Sequence, residues 1–190
     1  MKKTDLKKIK KGVRLILEGV GEEVNSARLK STPERTADML LEVLSGTWKD
    51  PLDFCRALTE EKHDEMVILK GIPLYSMCEH HLLPFAGTAS IAYIPKKGRI
   101  MGLNTLGYLV DSLSRRLQLQ ERLTKQIADY LVSTLKPLGV MVVIKAEHLC
   151  MTMRGVKKPG AITITSAIRG VFRDRDSTRQ EAMSLLMSKE

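Results

Sequence analysis

The sequence predicts an α+β protein, with helices near both ends of the chain and strands and helices in blocks between them. Two observations carry this prediction. Apolar residues recur at helical spacing early in the chain, near its middle and at its end. Runs rich in β-branched residues, bounded by proline and glycine, separate those helical stretches. The resulting order of helices, two strands, two helices, two strands and a helix is typical of antiparallel hairpins in an α+β fold.

The first predicted helix is amphipathic and ends near Gly19 or Gly21. A second helix begins at residues 31–34, where a capping residue precedes a proline, and it stops near Gly46. Residues 47–65 have a mixed pattern and are expected to be partly helical. The apolar stripe of the first helix consists of Leu6, Ile9, Val13, Ile16, Leu17 and Val20.

Strands are predicted from Val67, over residues 88–94, over residues 140–144 and over residues 162–172. The two middle helices run from about residue 106 to 116 and from about residue 123 to 135, and a last helix begins near Ser177. The second middle helix is predicted from a four-residue repeat of Leu123, Ile127, Leu131 and Leu135.

One compact domain is the simplest interpretation of 190 residues without an internal repeat, a low-complexity tract or a linker. Within the single domain 1–190, we expect a helical extension over 1–65, a core over 66–175 and a C-terminal helix over 176–190.

The formal charge of +9 favours an anionic partner such as a phosphorylated metabolite. Aromatic residues make up only 4% of the chain and form no stacking motif, so nucleic-acid binding ranks low and a basic RNA-binding module is a distant alternative. The lysines near the N-terminus are interpreted as a solvated helix face. No apolar run approaches the roughly 20 residues of a membrane span, and no signal peptide is recognisable, so we expect a cytoplasmic protein.

The chain has three cysteines, an odd and sparse set that makes a poor disulfide framework. Cys78 and His81 form a Cys-x-x-His pair, and a later predicted strand carries His148 and Cys150. Strand alternation predicts that His148, Cys150 and Arg154 share one face of that strand. The remaining cysteine, Cys55, is expected to be a buried thiol.

Sulfur and nitrogen are the ligand atoms that zinc prefers, and three protein ligands plus an open position are typical of a catalytic zinc site. Cys78, His81 and Cys150 would supply three ligands, leaving His80 and His148 for proton transfer. On spacing alone a metal site and buried, unliganded thiols remain at about even odds, and spacing does not identify a substrate. The fourth histidine, His63, is expected at the surface.

Several segments together resemble the GTP cyclohydrolase I family, and the resemblance runs from about Val13 to Leu186. The family's two metal segments are resembled by residues 78–85 (CEHHLLPF) and 147–155 (EHLCMTMRG). Its guanine-binding segment is resembled by residues 118–124 (QLQERLT) and its closing strand by residues 165–172 (TSAIRGVF). Residues 32–37 (TPERTA) resemble its N-terminal motif.

The resemblance implies roles for individual residues. Cys78, His81 and Cys150 match the zinc ligands, and His80 and His148 match the catalytic histidines. Among the substrate-binding residues, Glu121 matches the carboxylate that grips the guanine ring, and Gln120 lies beside it. Arg154 and Arg35 match arginines that contact the phosphates.

The family's fold is the tunnelling fold, in which antiparallel hairpins bracket a helix pair. Its members are ring-shaped homodecamers with active sites between subunits. The implied reaction is hydrolytic: zinc activates water, the purine is opened at C8, formate is released, and GTP becomes 7,8-dihydroneopterin triphosphate.

One segment departs from the family pattern. The family has Gly-Leu-Ser-Lys followed by an arginine, whereas Asn104, Thr105 and Tyr108 stand here at the serine, lysine and arginine positions. Each lost charge-assisted phosphate bond is worth about 1.5–3 kcal/mol. Three alternatives follow: a GTP cyclohydrolase with other phosphate contacts, a cyclohydrolase for a purine base, nucleoside or monophosphate, or a non-catalytic binding module.

Overall fold

The computed structural model of the chain describes residues 4–51, 57–58 and 63–188. Its strands are β1 (Ala57–Leu58), β2 (Val67–Cys78), β3 (Pro84–Ile94), β4 (Ile100–Met101), β5 (Leu117–Gln118), β6 (Gly139–His148) and β7 (Ile162–Gly170). Its helices are α1 (Leu6–Gly19), α2 (Thr32–Val43), α3 (Leu103–Ser114), α4 (Gln120–Leu135), α5 (Leu149–Thr152), α6 (Val171–Asp174) and α7 (Asp176–Met187). The α+β prediction is confirmed.

Five strands form one sheet in the order β5-β2-β3-β6-β7. The pairs β2–β3, β3–β6 and β6–β7 are antiparallel, and the short β5 adds in parallel at the end of β2. β1 and β4 form a separate two-stranded ribbon. The end of β2, the start of β3, the end of β6 and the start of β7 consequently lie at the same end of the sheet.

Both faces of the sheet are covered at its centre. On one face, side chains of β3 and β6 such as Ile91 and Val142 pack against α3 and α4. On the other face, Met141 and Val143 pack with Phe172 and with α7. Burial on both faces explains why residues 140–144 form an uninterrupted apolar run.

The N-terminal helices α1 and α2 pack together, and an ion pair between Lys10 and Glu34 joins them. The predicted end of the first helix near Gly19 is confirmed, as is the start of the second helix at residues 31–34. His63 is exposed, as expected, whereas Cys55 lies outside the described residues. No helix within the described parts of the chain is long and apolar enough to cross a membrane.

Two predicted strand ends are wrong. The last strand stops at Gly170, whose φ of 60° turns the chain into α6, so Phe172 is helical. β6 ends at His148, so the prediction that Cys150 and Arg154 continue this strand is also wrong. The register explains the second end: Leu149 would face Pro84, which has no N–H to donate, and β7 begins only at Ile162, opposite Glu147.

Candidate metal centre and active site

The predicted metal ligands lie together at the end of the sheet. Single ligand atoms of Cys78, His81 and Cys150 are all within 4.8 Å of one another. Cys78 ends β2, His81 lies in the loop before β3, and Cys150 lies in α5, directly after β6. Cys150 was predicted to lie on a strand and instead lies in the short helix α5. The helix nevertheless brings its sulfur close to the ligand atoms of Cys78 and His81.

The loop between β2 and β3 is tight and closed by backbone hydrogen bonds. The Cys78 N–H donates to the Leu83 carbonyl over 2.8 Å, and the Leu82 N–H donates to the Cys78 carbonyl over 2.9 Å. Leu82 takes a left-handed conformation with a φ of 53°. This turn folds the chain back within a few residues, so that His81 faces the thiol of Cys78.

The chemistry of the cluster fits a thiophilic cation. Burial, together with the adjacent Cys78 thiol, raises the pKa of the Cys150 thiol. Without a counter-charge the Cys150 thiol therefore resists ionisation, whereas a divalent cation would favour its thiolate. Two sulfurs and one imidazole nitrogen suit zinc far better than magnesium or calcium, which prefer oxygen ligands.

The second histidine of the loop, His80, is exposed and contacts His81 edge to face, with ring centroids 6.3 Å apart. Arg154 lies on the other side of His81, with its Nη1 atom 3.2 Å from the imidazole Nε2. The exposed arginine is therefore close enough to meet an anionic group of a ligand held beside the metal ligands.

His148 is fixed by two neighbours. Its ring stacks on Phe85, its partner across the β3–β6 pair, with centroids 4.5 Å apart and planes 10° from parallel. Its Nε2 atom lies 2.7 Å from Oε1 of Gln120, which is 1% exposed. Burial lowers the pKa of His148, and the negative charge of Glu121 opposes that shift, so Glu121 acts on this ring electrostatically.

Glu121 lies in the first turn of α4 and is exposed. The neighbouring Gln120 was expected to bind the substrate. Its side-chain amide is instead buried and hydrogen-bonded to other groups of the protein. The first backbone N–H groups of a helix have no partner within it, so the start of α4 also offers donors.

Arg122 anchors the metal loop to α4, a contact that sequence reasoning missed. Its guanidinium donates to both carboxylate oxygens of Glu79 over 2.6 and 2.8 Å. These hydrogen bonds from Arg122 hold the pKa of the Glu79 carboxyl below its usual value. Arg122 and Glu79 lie inside segments that resemble the family's motifs, as do Phe85, which stacks on His148, and Thr165, which contacts Gln120. Position within those segments was the only feature of the sequence that could have pointed to these residues.

The residues that depart from the family pattern lie on α3. Asn104 and Tyr108 are exposed on α3 and line a cleft of about 570 Å³ with Tyr75 of β2. The charged residues that line this cleft are Asp111 and Arg115. Thr105 belongs to the same helix and is half-buried.

Arg35 also stands apart, exposed on α2. Within the described ranges, the side-chain hydrogen bond to the Cys–His–Cys group comes from Arg154, and neither Arg35 nor α3 contributes one.

The fold and the site together define a class: an α+β protein with a Cys–His–Cys group able to hold a metal ion, a half-buried imidazole two residues before the second cysteine and a carboxylate at a helix start. Comparison with known proteins is more specific. The family model described as GTP cyclohydrolase I matches residues 9–187.

The relatives with assigned names agree over the whole chain. The GTP cyclohydrolase 1 of Thermoanaerobacter pseudethanolicus is 55% identical over 186 residues, which cover 98% of this chain and 99% of the relative. That of Caldanaerobacter subterraneus subsp. tengcongensis is 56% identical over 185 residues, or 97% and 98% of the two chains. That of Clostridioides difficile is 52% identical over 190 residues, the full length of both. The chain belongs to the GTP cyclohydrolase I family.

Proposed function

We propose that this protein is a zinc-dependent GTP cyclohydrolase. It hydrolyses the imidazole ring of the guanine at C8, releases C8 as formate and converts GTP into 7,8-dihydroneopterin triphosphate. The observation that carries the proposal is the cluster of Cys78, His81 and Cys150 with His148 and Glu121 beside it. Identity of 55% to a protein named GTP cyclohydrolase 1, over 98% of this chain, supports the same reaction.

Zinc is the proposed resident metal, held by Cys78, His81 and Cys150. When bound, it would supply a Lewis acid that activates water near neutral pH. The protein contributes the geometry: the tight β2–β3 loop and α5 bring the three ligand atoms within 4.8 Å of one another. The bidentate pair of Glu79 and Arg122 ties this loop to the start of α4.

The two remaining histidines are the proposed proton-transfer groups. Because burial lowers its pKa, His148 is neutral at neutral pH and can accept a proton, and we assign it to the ribose-opening step. The exposed His80, beside His81, is assigned to protonation of the purine ring as C8 is attacked.

Guanine recognition is proposed for the start of α4. The Glu121 carboxylate can accept hydrogen bonds from the guanine amino group and from the ring N–H, which an adenine does not present in this arrangement. The neighbouring Gln120 is buried and its side-chain amide is engaged by protein groups, so the Glu121 carboxylate is the proposed contact for the base.

Arg154 and Arg35 are the proposed phosphate contacts. Arg154 lies next to His81, so it would bind the phosphates of the same substrate. Arg35 is exposed on the α1–α2 pair, and we propose that it serves the site of a neighbouring subunit.

This role fits a tunnelling fold assembled as a ring-shaped homo-oligomer, possibly a decamer. The exposed Ile162 and Ile164 of β7, at 54% and 57%, support such a contact. We propose the single domain 1–190, with the extension 1–65, the core 66–175 and the last helix 176–190.

A second candidate is favoured by the α3 segment. Asn104, Thr105 and Tyr108 are neutral, and the acid Asp111 balances the base Arg115 in their cleft. A triphosphate carries about four negative charges at neutral pH, and a neutral cleft does little to hold it. A cyclohydrolase acting on a guanine base, nucleoside or monophosphate would need no such contacts.

Formate release measures both candidates. Zinc-loaded protein is incubated in parallel with GTP, GMP, guanosine and guanine. Strong release from GTP, with a fluorescent pterin after oxidation, is the expected result. Release only from a compound without the triphosphate would establish the second candidate. If none of the four compounds releases formate, either with zinc bound or after zinc is removed and restored, the protein would be a non-catalytic binding module.

A further inference from the structure

The side chain of Gln120 stands at the centre of a buried polar network between α4, β6 and β7. The residue is 1% exposed, and so is Thr124, one helical turn further along α4. Thr165, on β7, completes the group. Burying an amide without partners destabilises a fold, so this glutamine is tolerated only because its hydrogen bonds are filled.

The orientation of the Gln120 amide follows from its partners. Its Nε2 atom lies 3.1 Å from the Ile144 carbonyl oxygen and 3.0 Å from that of Thr163. Carbonyl oxygens only accept hydrogen bonds, so the NH₂ end of the amide must face them. Rotating the amide by half a turn would set its oxygen against two other oxygens. The Oε1 end is therefore directed at His148.

The threonines fix the rest of the network in the same direction. The Thr124 hydroxyl donates to the Gln120 carbonyl over 2.7 Å. With its single proton used, Thr124 accepts from Thr165, whose hydroxyl oxygen lies 2.7 Å away. The oxygen of Thr165 can in turn accept from the Gln120 amide over 3.1 Å. The NH₂ group has two protons for three acceptors, so they are shared, but every one of these contacts requires the NH₂ end of the amide to point away from His148.

This network determines which nitrogen of His148 carries the proton. Oε1 of Gln120 is an acceptor, and it lies 2.7 Å from Nε2 of His148, so Nε2 must be the donor. Phe85 stacks on the same ring at 4.5 Å and holds the ring plane, and the bond to Gln120 selects the orientation that puts Nε2 next to the amide oxygen. Among the described residues, no recorded hydrogen bond engages the other nitrogen, Nδ1.

We infer that Gln120 is a positioning residue that holds His148 as the Nε2–H tautomer, so that Nδ1 is the nitrogen presented to the substrate. This role rests on the proposed function of His148, and it replaces direct contact of the Gln120 side chain with the base. The distinction has a kinetic consequence. A residue that binds substrate affects KM, whereas one that orients a proton-transfer group affects kcat.

The test combines ¹⁵N NMR of histidine-labelled, zinc-loaded protein with kinetics. The chain has four histidines, so the His148 signals can be assigned by comparison with His148→Ala. The wild type is expected to show a protonated Nε2 and an unprotonated Nδ1. Gln120→Met, which keeps the length of the side chain, is expected to give a mixture of the two tautomers. Its kcat should fall by about 10- to 100-fold, with KM nearly unchanged.

Gln118→Met is the matched control. Gln118 is also 1% exposed, and its amide donates to the Leu113 carbonyl and to Gln126 instead of reaching His148. It should lose comparable folding stability while leaving the His148 tautomer as in the wild type.

A wild-type His148 protonated at Nδ1 would overturn the inference, and so would an unchanged tautomer in Gln120→Met. If Gln120→Met does not fold, a wild-type spectrum with Nδ1 protonated would still overturn the inference. The spectra need no substrate, so they also remain decisive if no guanine compound releases formate and the proposed function fails.

Discussion

At the residue scale, the Cys150 thiol links metal binding to pH. Burial and the neighbouring Cys78 raise its pKa, so the thiol of the metal-free protein is protonated at neutral pH. A bound cation requires the thiolate, and binding must therefore release protons. We expect the apparent zinc affinity to rise by roughly tenfold per pH unit for each proton displaced. Zinc titrations in weakly buffered solution, with proton release followed by a pH indicator, measure this; binding without proton release would contradict it.

Cys78 is the proposed ligand whose loss should be most damaging, because it is buried and ends the long strand β2. Cys78→Ala is expected to abolish both zinc binding and formate release. Metal content after dialysis and the formate assay measure the two effects. Met77→Leu is the control, since it changes the adjacent buried side chain by a volume-conserving swap that costs less than about 1.5 kcal/mol. Retention of zinc and activity by Cys78→Ala would disprove the proposed metal site.

At the scale of elements, the pairing of β3 with β6 sets the position of His148, and Gly87 permits that pairing. A Cβ atom at Gly87 would lie 1.9 Å from the Lys145 carbonyl oxygen and 2.6 Å from Cα of Ala146. Gly87→Ala should therefore push the two strands apart next to the Phe85–His148 stack. We expect a loss of about 1–3 kcal/mol of unfolding free energy, measured by denaturant titration.

Gly107→Ala provides the comparison for that substitution. Gly107 lies within α3, and an added Cβ would meet nothing within 4 Å. Because alanine is the better helix former, this change should stabilise the protein by a few tenths of a kcal/mol to about 1 kcal/mol. If both substitutions had the same effect, close packing at Gly87 would not be the cause.

The sequence pattern predicted the elements better than their ends. Helix α4 followed from apolar periodicity because its repeated apolar residues form a buried face. The same periodicity predicted α1, although its apolar stripe is only partly buried and Ile16 is exposed. The start of α2 followed from its capping residue and proline. The end of β6 could not be predicted, since it depends on which residues of β3 and β7 stand opposite, and register is a property of the assembled sheet.

The candidate site shows the same limit. The Cys–His–Cys group could be predicted from residue type and motif, because few residue types bind zinc, and the structure brings its three members together. Motif position also drew attention to Gln120 but suggested a substrate contact. Only the folded chain shows that the Gln120 amide points inward, toward Ile144 and His148. Long-range hydrogen bonds between α4 and two strands leave no periodic signal in a sequence.

At the scale of the whole molecule, the sheet ends in an exposed apolar edge. Ile162 and Ile164 of β7 are 54% and 57% exposed, and β7 has β6 as its only strand neighbour among the described residues. We expect Ile164→Lys to shift the protein toward smaller species, because a charge at an apolar contact is costly to bury. Light scattering coupled to size-exclusion chromatography measures the mass. Ile164→Val should keep the wild-type mass, and an unchanged mass for Ile164→Lys would exclude this edge as a subunit contact.

The metal ligands come from strands that are not neighbours. Cys78 ends β2 and Cys150 directly follows β6, while β3 lies between these strands and pairs with both. A growing polypeptide therefore cannot assemble the full coordination sphere until its central strand is inserted and residue 150 has left the ribosome. Binding of the proposed metal ion would then favour chains with correctly paired strands. A chain with misaligned strands would offer only the Cys-x-x-His pair and would gain none of the stabilisation that binding to the native state provides.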